Sequence, residues 1–228
     1  DSKFFSRKVG CLYLGDADAI SDCLLYAAQL GYELVYIYSD LALDCRSVGK
    51  FLIKDVGGQI TFSKTLTNNH CQYFAGSTGI APYMSNFLCP DVLELAYLSG
   101  HLSRFRVDQN LPFSSFKKMY QLWVQNALSL RPEHDVFTVF RNEKHIALLT
   151  AEFVRNSICK IGLLAVDSKF HGQGIGSMLL NYLESICILR HINKIQVTTQ
   201  LVNESAIFLY RKVGYVESDR KYVYHAHT

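Results

Sequence analysis

Residues 160–177, KIGLLAVDSKFHGQGIGS, carry the pattern from which the fold is read. The run from Ile161 to Val166 holds no polar side chain, as expected of a strand buried on both faces, and it breaks at Asp167 and Ser168. Gly172, Gly174 and Gly176 then alternate just ahead of Met178, Leu179, Leu180, Leu183, Ile186 and Cys187, whose spacing of three and four marks the apolar face of a helix. The predicted order is strand, glycine turn, helix.

That order suits an anion. The first turn of a helix carries unpaired N–H groups and the positive end of the macrodipole, and alternating glycines let a phosphate approach them. A bare tight turn is the competing explanation of the same glycines. No Lys-Ser or Lys-Thr follows the last glycine, which excludes a nucleoside-triphosphate loop. A dinucleotide fingerprint requires Gly at Ser177 and an acid ending the next strand, which closes instead on Thr198, Thr199 and Gln200.

The segment resembles motif A of the GNAT acyl-CoA N-acetyltransferases, here His171-Gly-Gln-Gly-Ile-Gly176, with His171 where that family usually has Gln or Arg. The run Asn203-Glu-Ser-Ala-Ile-Phe-Leu-Tyr210-Arg-Lys-Val-Gly214-Tyr215 resembles its motif B. Read alone, Asn203 is a helix N-cap, Tyr210 a packed aromatic and Gly214 a helix stop. The resemblance implies more: acetyl-CoA as donor, its pyrophosphate held by His171, Gly172, Gln173, Gly174, Ile175, Gly176 and Ser177, its pantetheine arm along Leu164, Ala165 and Val166, and Asn203 beside it. It implies Tyr210 as general acid to the departing thiolate. Glu152, in the strand before the cofactor strand, is the candidate proton acceptor, with a solvated strand-edge carboxylate as the alternative.

The whole chain has 228 residues, 49% hydrophobic and 19% charged, enough for one large or two small globular domains. A formal charge of +3 with no dense basic run gives no reason to expect nucleic acid. Seven cysteines (11, 23, 45, 71, 89, 159, 187) are scattered without a CxxC pair, which predicts reduced, packed thiols in a cytoplasmic protein and no metal. No apolar stretch approaches the roughly 20 residues of a membrane span, and no signal-peptide pattern is seen. The chain opens at Asp1 without Met, so native residues are expected to precede it.

The expected fold class is α/β (α+β), a GNAT fold with a central mixed, mostly antiparallel sheet flanked by helices, preceded by a smaller α/β domain. The boundaries are 1–88 for the small domain and 89–228 for the acetyltransferase domain. In the first, Ile20, Leu24, Ala27, Ala28 and Leu30 outline a helix closed by Gly31, and residues 33–38 a strand. Residues 47–56 are read as a short helix stopped by Gly57-Gly58, 59–66 as a strand, and 67–88 as a linker. From Asp91 follow a helix to Gly100, a loop at 101–112, a long helix over 113–130, strands at 136–141, 145–154 and 159–166, then the central helix, the strand 194–199, the motif-B helix and a last strand.

Motifs A and B identify the donor, not the acceptor. A broader likeness, in the opening DSKFF, the SRFR loop at 103–106 and the VES run at 216–218, is to acetyltransferases of nucleotide-linked amino-sugars. It implies a TDP-linked 4-amino-4,6-dideoxyhexose as substrate, contacted by Arg104, Arg106 and Asp108, since Arg suits bidentate pyrophosphate binding. The family's habit suggests a homodimer. The alternatives are a GNAT acting on a peptide amino terminus, a lysine or a polyamine, and a non-catalytic acyl-CoA-binding module.

Overall fold

The computed structural model describes residues 2–15, 19–44, 46–67, 79–85, 87–154 and 158–228. Asp1, Cys45, Cys71 and most of the expected linker at 67–88 lie outside the described residues.

Elements follow in the order α1 (Ser2–Phe5), β1 (Val9–Leu14), α2 (Ile20–Gln29), β2 (Leu34–Ser39), β3 (Ser47–Val48), β4 (Phe51–Thr65) and β5 (Ile80–Pro82). After these come α3 (Pro90–Ser99), α4 (Arg104–Val107), α5 (Phe113–Ser129), β6 (His134–Arg141), β7 (Lys144–Val154) and β8 (Ile158–Val166). The chain ends with α6 (Ile175–Leu189), β9 (Lys194–Gln200), α7 (Glu204–Lys212) and β10 (Val216–His227).

The strands form one sheet in the order β1-β2-β10-β4-β9-β8-β7-β6-β5, with β3 paired to β4. Among the described strands, only β1 with β2 and β8 with β9 run parallel; the other pairs are antiparallel. The mixed, mostly antiparallel sheet is the one expected. The boundary drawn at residue 88 does not coincide with a break in it, because β4 lies between β9 and β10.

Residues 47–56 are not a helix. Val48 pairs with Phe51 across a two-residue turn in which Gly49 takes a φ of +55°, so the segment is a hairpin from β3 into β4. Gly57 and Gly58 do not stop a helix either. They sit inside β4 where its pairing with β10 slips, and a Cβ on Gly58 would stand 2.9 Å from the Lys221 carbonyl. The edge strand β1, VGCLYL, is an element the sequence patterns did not predict.

The two faces of the sheet bury separate cores. On one, Ile60, Phe62, Ile195 and Val197 pack under Leu179, Leu180 and Leu183 of α6 and against Tyr210 of α7. On the other, Leu148, Leu163 and Ala165 pack against Val92, Leu95 and Ala96 of α3 and Phe116, Met119, Tyr120 and Val124 of α5. In β8 the α6-facing residues change from Cys159 and Ile161 to Leu164 and Val166, a shift from odd to even positions. A strand alternates strictly, so one extra residue, a bulge, lies between them.

Candidate active site

That bulge opens the site. The register between β7 and β8 slips between the pairs Leu149–Leu164 and Ala151–Ile161, and the Leu163 N–H donates to the buried Thr150 hydroxyl at 2.9 Å instead of to a strand carbonyl. Thr150 fits because a Cβ at Gly162 would stand 2.8 Å from its Oγ1. Beyond the bulge β8 leaves β9: their parallel pairing ends at Ile161 and Val197. A cleft of about 560 Å³ is lined by the separated strand ends, by the start of α6, by α7 and by residues of α3, α4 and α5.

The free edge of β8 has a defined polarity. The Asp167 N–H donates to the Ile146 carbonyl at 2.8 Å, so by strand alternation the main-chain groups of Leu164 and Val166 turn away from β7, toward the opening. Ala165 turns its main chain to β7. His171 donates from Nε2 to the Val166 carbonyl at 2.9 Å, which ties the loop to the strand and leaves the Leu164 and Val166 N–H groups facing the cleft.

A short 3-10 turn (Ser168–Phe170), capped by the Asp167 carboxylate at the Lys169 N–H, leads from β8 to the glycines. Gly172 and Gly174 adopt φ of +76° and +75°, and a Cβ on either would project into open space. Gly174 is the N-cap of α6 and offers no side chain, so the helix opens on bare amides. The first bond into the helix is Met178 N–H to the Gly174 carbonyl at 2.9 Å. Among the described residues, the N–H groups of Ile175, Gly176 and Ser177 have no protein acceptor. Unpaired amides at the positive end of a helix dipole fit a diphosphate. Gly176 has a different reason: its Cβ would stand 2.9 Å from Leu209 Cδ2, so its absence lets α7 close onto α6.

Of the remaining motif residues, Gln173 does not line the cleft and accepts from Arg141 Nη1 at 3.4 Å. Asn203 lines it, but its amide is committed: Oδ1 accepts the Ala206 N–H at 3.2 Å as N-cap of α7, and Nδ2 donates to Thr199 Oγ1 at 3.1 Å. Tyr210 lines the cleft while only 4% exposed, its ring 5.7 Å from Phe62 and 6.0 Å from Tyr215. Burial pushes its phenol well above the ordinary tyrosine value, so it keeps its proton across the neutral range.

The acceptor-side expectations divide. Arg104 lines the cleft, its guanidinium bonded to the Tyr38 hydroxyl and set 4.4 Å from the Phe105 ring and 4.8 Å from the Tyr36 ring. Arg106 does not line it and stacks 4.3 Å over Phe113. Asp108 is buried, not exposed to substrate: it accepts from His225 Nδ1 at 2.5 Å and His227 Nε2 at 2.7 Å, with the Lys54 ammonium at 3.9 Å. Glu152 is exposed and outside the cleft, opposite His134 and Lys160, at the end where β8 and β9 are still paired. Among the described residues no Asp or Glu lines the cleft.

Asp108, His225 and His227 place three ligand-type atoms within 4.8 Å of one another. The surroundings do not suit a cation. Lys54 and Arg104 bring positive charge to the cluster, and the outer nitrogens, His225 Nε2 and His227 Nδ1, have no acceptor among the described residues, whereas metal-bound imidazoles normally hand that proton to one. The cluster ties the end of α4 to β10 and so fixes Arg104.

Sequence patterns missed the far wall: Trp123 and Tyr120 of α5 line the cleft with Phe105 and His101. The His101 Nδ1–H is anchored on the Leu98 carbonyl at 2.8 Å, which leaves Nε2 as its acceptor atom when the ring is neutral. At 39% exposure Trp123 is a helix-face aromatic that the core does not cover.

A split parallel strand pair, a bulge and a bare helix N-terminus define an acyl-CoA N-acetyltransferase fold. The family model of the acetyltransferase (GNAT) family matches residues 102–215, half of the chain, and the chain belongs to that family. Members of the family transfer an acetyl group from acetyl-CoA. Two curated relatives are similar: the spore coat polysaccharide biosynthesis protein SpsD of Bacillus subtilis (strain 168), 29% identical over 135 residues, covering 59% of this chain and 46% of that protein, and N-alpha-acetyltransferase 30 of Xenopus laevis, 23% identical over 149 residues, covering 56% and 55%. The chain thus spans about half the length of these relatives. Solved structures sharing the fold include a GCN5-related N-acetyltransferase from Sphaerobacter thermophilus (TM-score 0.53, 14% identity, 90% of this chain and 64% of that one) and the PaiA N-acetyltransferase of Thermoplasma acidophilum in complex with coenzyme A (TM-score 0.53, 14% identity, 65% and 99%).

The glycine cradle has a direct test. Gly174→Val places a β-branched side chain at a φ of +75° and fills the space before the α6 amides. Acetyl-CoA affinity measured by calorimetry should fall about tenfold or more with the circular dichroism unchanged. Unaltered affinity would contradict the loop's role.

Proposed function

We propose that the chain is an acetyl-CoA-dependent N-acetyltransferase acting on the 4-amino group of a TDP-linked 4-amino-4,6-dideoxyhexose, a step toward surface polysaccharide, as in the bacterial dTDP-fucosamine acetyltransferase that it resembles. The observation that carries acetyl transfer is the row of unpaired amides at 175–177 in the same cleft as Tyr210. Acetyl-CoA supplies the thioester to be attacked. The α6 amides hold the diphosphate, the Leu164 and Val166 N–H groups steady the arm, and the Val166 amide polarises the acyl oxygen. The Tyr210 phenol holds the proton that the leaving sulfur takes up.

An amine with a pKa near ~8 is partly neutral at pH 7. It needs no carboxylate, in keeping with a cleft that has none among its described lining residues. Any remaining proton passes to water or to His101 Nε2. For the acceptor, Arg104 offers a guanidinium for a phosphate, and Trp123, Tyr120 and Phe105 offer apolar faces for a deoxysugar or pyrimidine. The likeness to a polysaccharide biosynthesis protein supports the same substrate class. The reading includes a homodimer in the cytoplasm, where acetyl-CoA and nucleotide-sugars are available. No described helix is long and apolar enough to cross a membrane.

The likeness to an N-alpha-acetyltransferase favours a second reading, a peptide amino terminus as acceptor. Acetyl transfer assayed on TDP-amino-hexoses, polyamines and peptides separates them. Turnover confined to the nucleotide-sugar is expected. Turnover on peptide alone would overturn the substrate, and acetyl-CoA binding without turnover on any amine would make this a non-catalytic acyl-CoA module.

A further inference from the structure

Ile60 and Phe62 of β4 and Ile195 and Val197 of β9 turn to the α6 side of the sheet, so strand alternation turns Gln59, Thr61, Thr198 and Gln200 to the other. The register sets these four in pairs: Gln59 opposite Gln200, and Thr61 opposite Thr198, whose hydroxyls meet at 2.9 Å. Val56 reaches the same side across the pairing slip at Gly57 and Gly58, and belongs there to one core with Phe105 and Tyr120. Gln59, Thr198 and Gln200 line the cleft, as do Val56 beside them and Phe105, Tyr120 and Trp123 of α4 and α5. Neither glutamine is fully buried, and neither side-chain amide has a partner among the described residues.

The cofactor elements stand on the opposite face, since the apolar side of α6 and Tyr210 of α7 share the other core. The two faces meet where β8 parts from β9, beyond Ile161 and Val197. An acceptor that comes to the thioester from the Gln59 side crosses a floor of uncharged amides and hydroxyls, in a cleft lined by no Asp or Glu among the described residues. Such a floor suits a cationic peptide terminus or polyamine poorly, because a carboxylate is what holds an ammonium. It matches a sugar: a carboxamide carries both a donor and an acceptor, and a ring hydroxyl both gives and takes a hydrogen bond. We infer that Gln59 and Gln200 determine acceptor specificity by hydrogen-bonding ring hydroxyls of the amino-sugar, with Thr198 beside them. The inference rests on the sugar reading above and deepens it, giving β4 a part in choosing the substrate.

Steady-state kinetics of Gln59→Met and Gln200→Met tests it, because Met keeps an unbranched side chain of similar size and removes the amide. With a TDP-4-amino-4,6-dideoxyhexose as acceptor, each variant should raise KM about fivefold, the scale of one hydrogen bond, and leave acetyl-CoA affinity unchanged by calorimetry. The penalty should disappear on the 2-deoxy or the 3-deoxy analogue, whichever lacks the hydroxyl that the glutamine serves. A merely structural role would penalise all these sugars alike. That result, an unaltered KM in either variant, or a matching loss of acetyl-CoA affinity would each overturn the inference. A wild type that turns over no amino-sugar would instead defeat the sugar reading itself, and this inference with it.

Discussion

Tyr210→Phe should lower kcat about a hundredfold, the usual scale for losing a positioned general acid, with little change in acetyl-CoA affinity. The ring stays, so its packing on Phe62 and Tyr215 survives and only the hydroxyl is lost. Burial holds the wild-type phenol above its ordinary value, so kcat should show no alkaline fall from tyrosine ionisation up to about pH 10. Calorimetry beside steady-state kinetics separates the roles. Equal losses in kcat and in affinity would mean that the phenol only positions the cofactor.

Asp108→Ala should cost on the order of 3 to 5 kcal/mol of stability, the range for removing one partner of a buried charge network. Burial alone would raise the Asp108 carboxyl, but hydrogen bonds from His225, His227 and the Asn110 amide outweigh it and hold the group well below the usual carboxylate range. A carboxyl lowered on folding adds stability above its unfolded pKa near ~4, and that stability fades as pH falls below it. His225 acts in the same direction: burial pushes its pKa down, Asp108 opposing, so the unfolded chain takes up the proton first as pH falls below ~6.5. Urea unfolding from pH 8 to pH 3 should therefore show the wild type losing stability toward acid, and Asp108→Ala starting lower with a shallower slope. Matching slopes would mean that Asp108 does not titrate as part of this network.

How much of this was legible in the sequence follows from how local each signal is. The strand, glycine turn and helix at 160–189 are written in one continuous run, as is the Asn203 cap, whose acceptor lies three residues on. Residues 47–56 misled because a short apolar run bounded by glycines suits a helix or a strand equally; the choice was made by partners elsewhere, with β4 pairing both β9 and β10. Asp108 was assigned to substrate from a loop likeness, whereas its histidine partners lie 117 and 119 residues away, a separation that leaves no local trace. Glu152 was a candidate base by strand position, and the β8 bulge, set by a Thr150 hydroxyl, moved the opening away from it. The wall of His101, Phe105 and Trp123 was hidden for a related reason: an aromatic on a helix looks the same whether it covers a core or a cleft.

A crystal structure with acetyl-CoA bound would test the central claim most directly. The account predicts the diphosphate against the amides of residues 175–177, the arm along the open edge of β8, and the thioester sulfur beside the Tyr210 hydroxyl. Ligand density elsewhere, or those amides turned to protein acceptors in the complex, would contradict it.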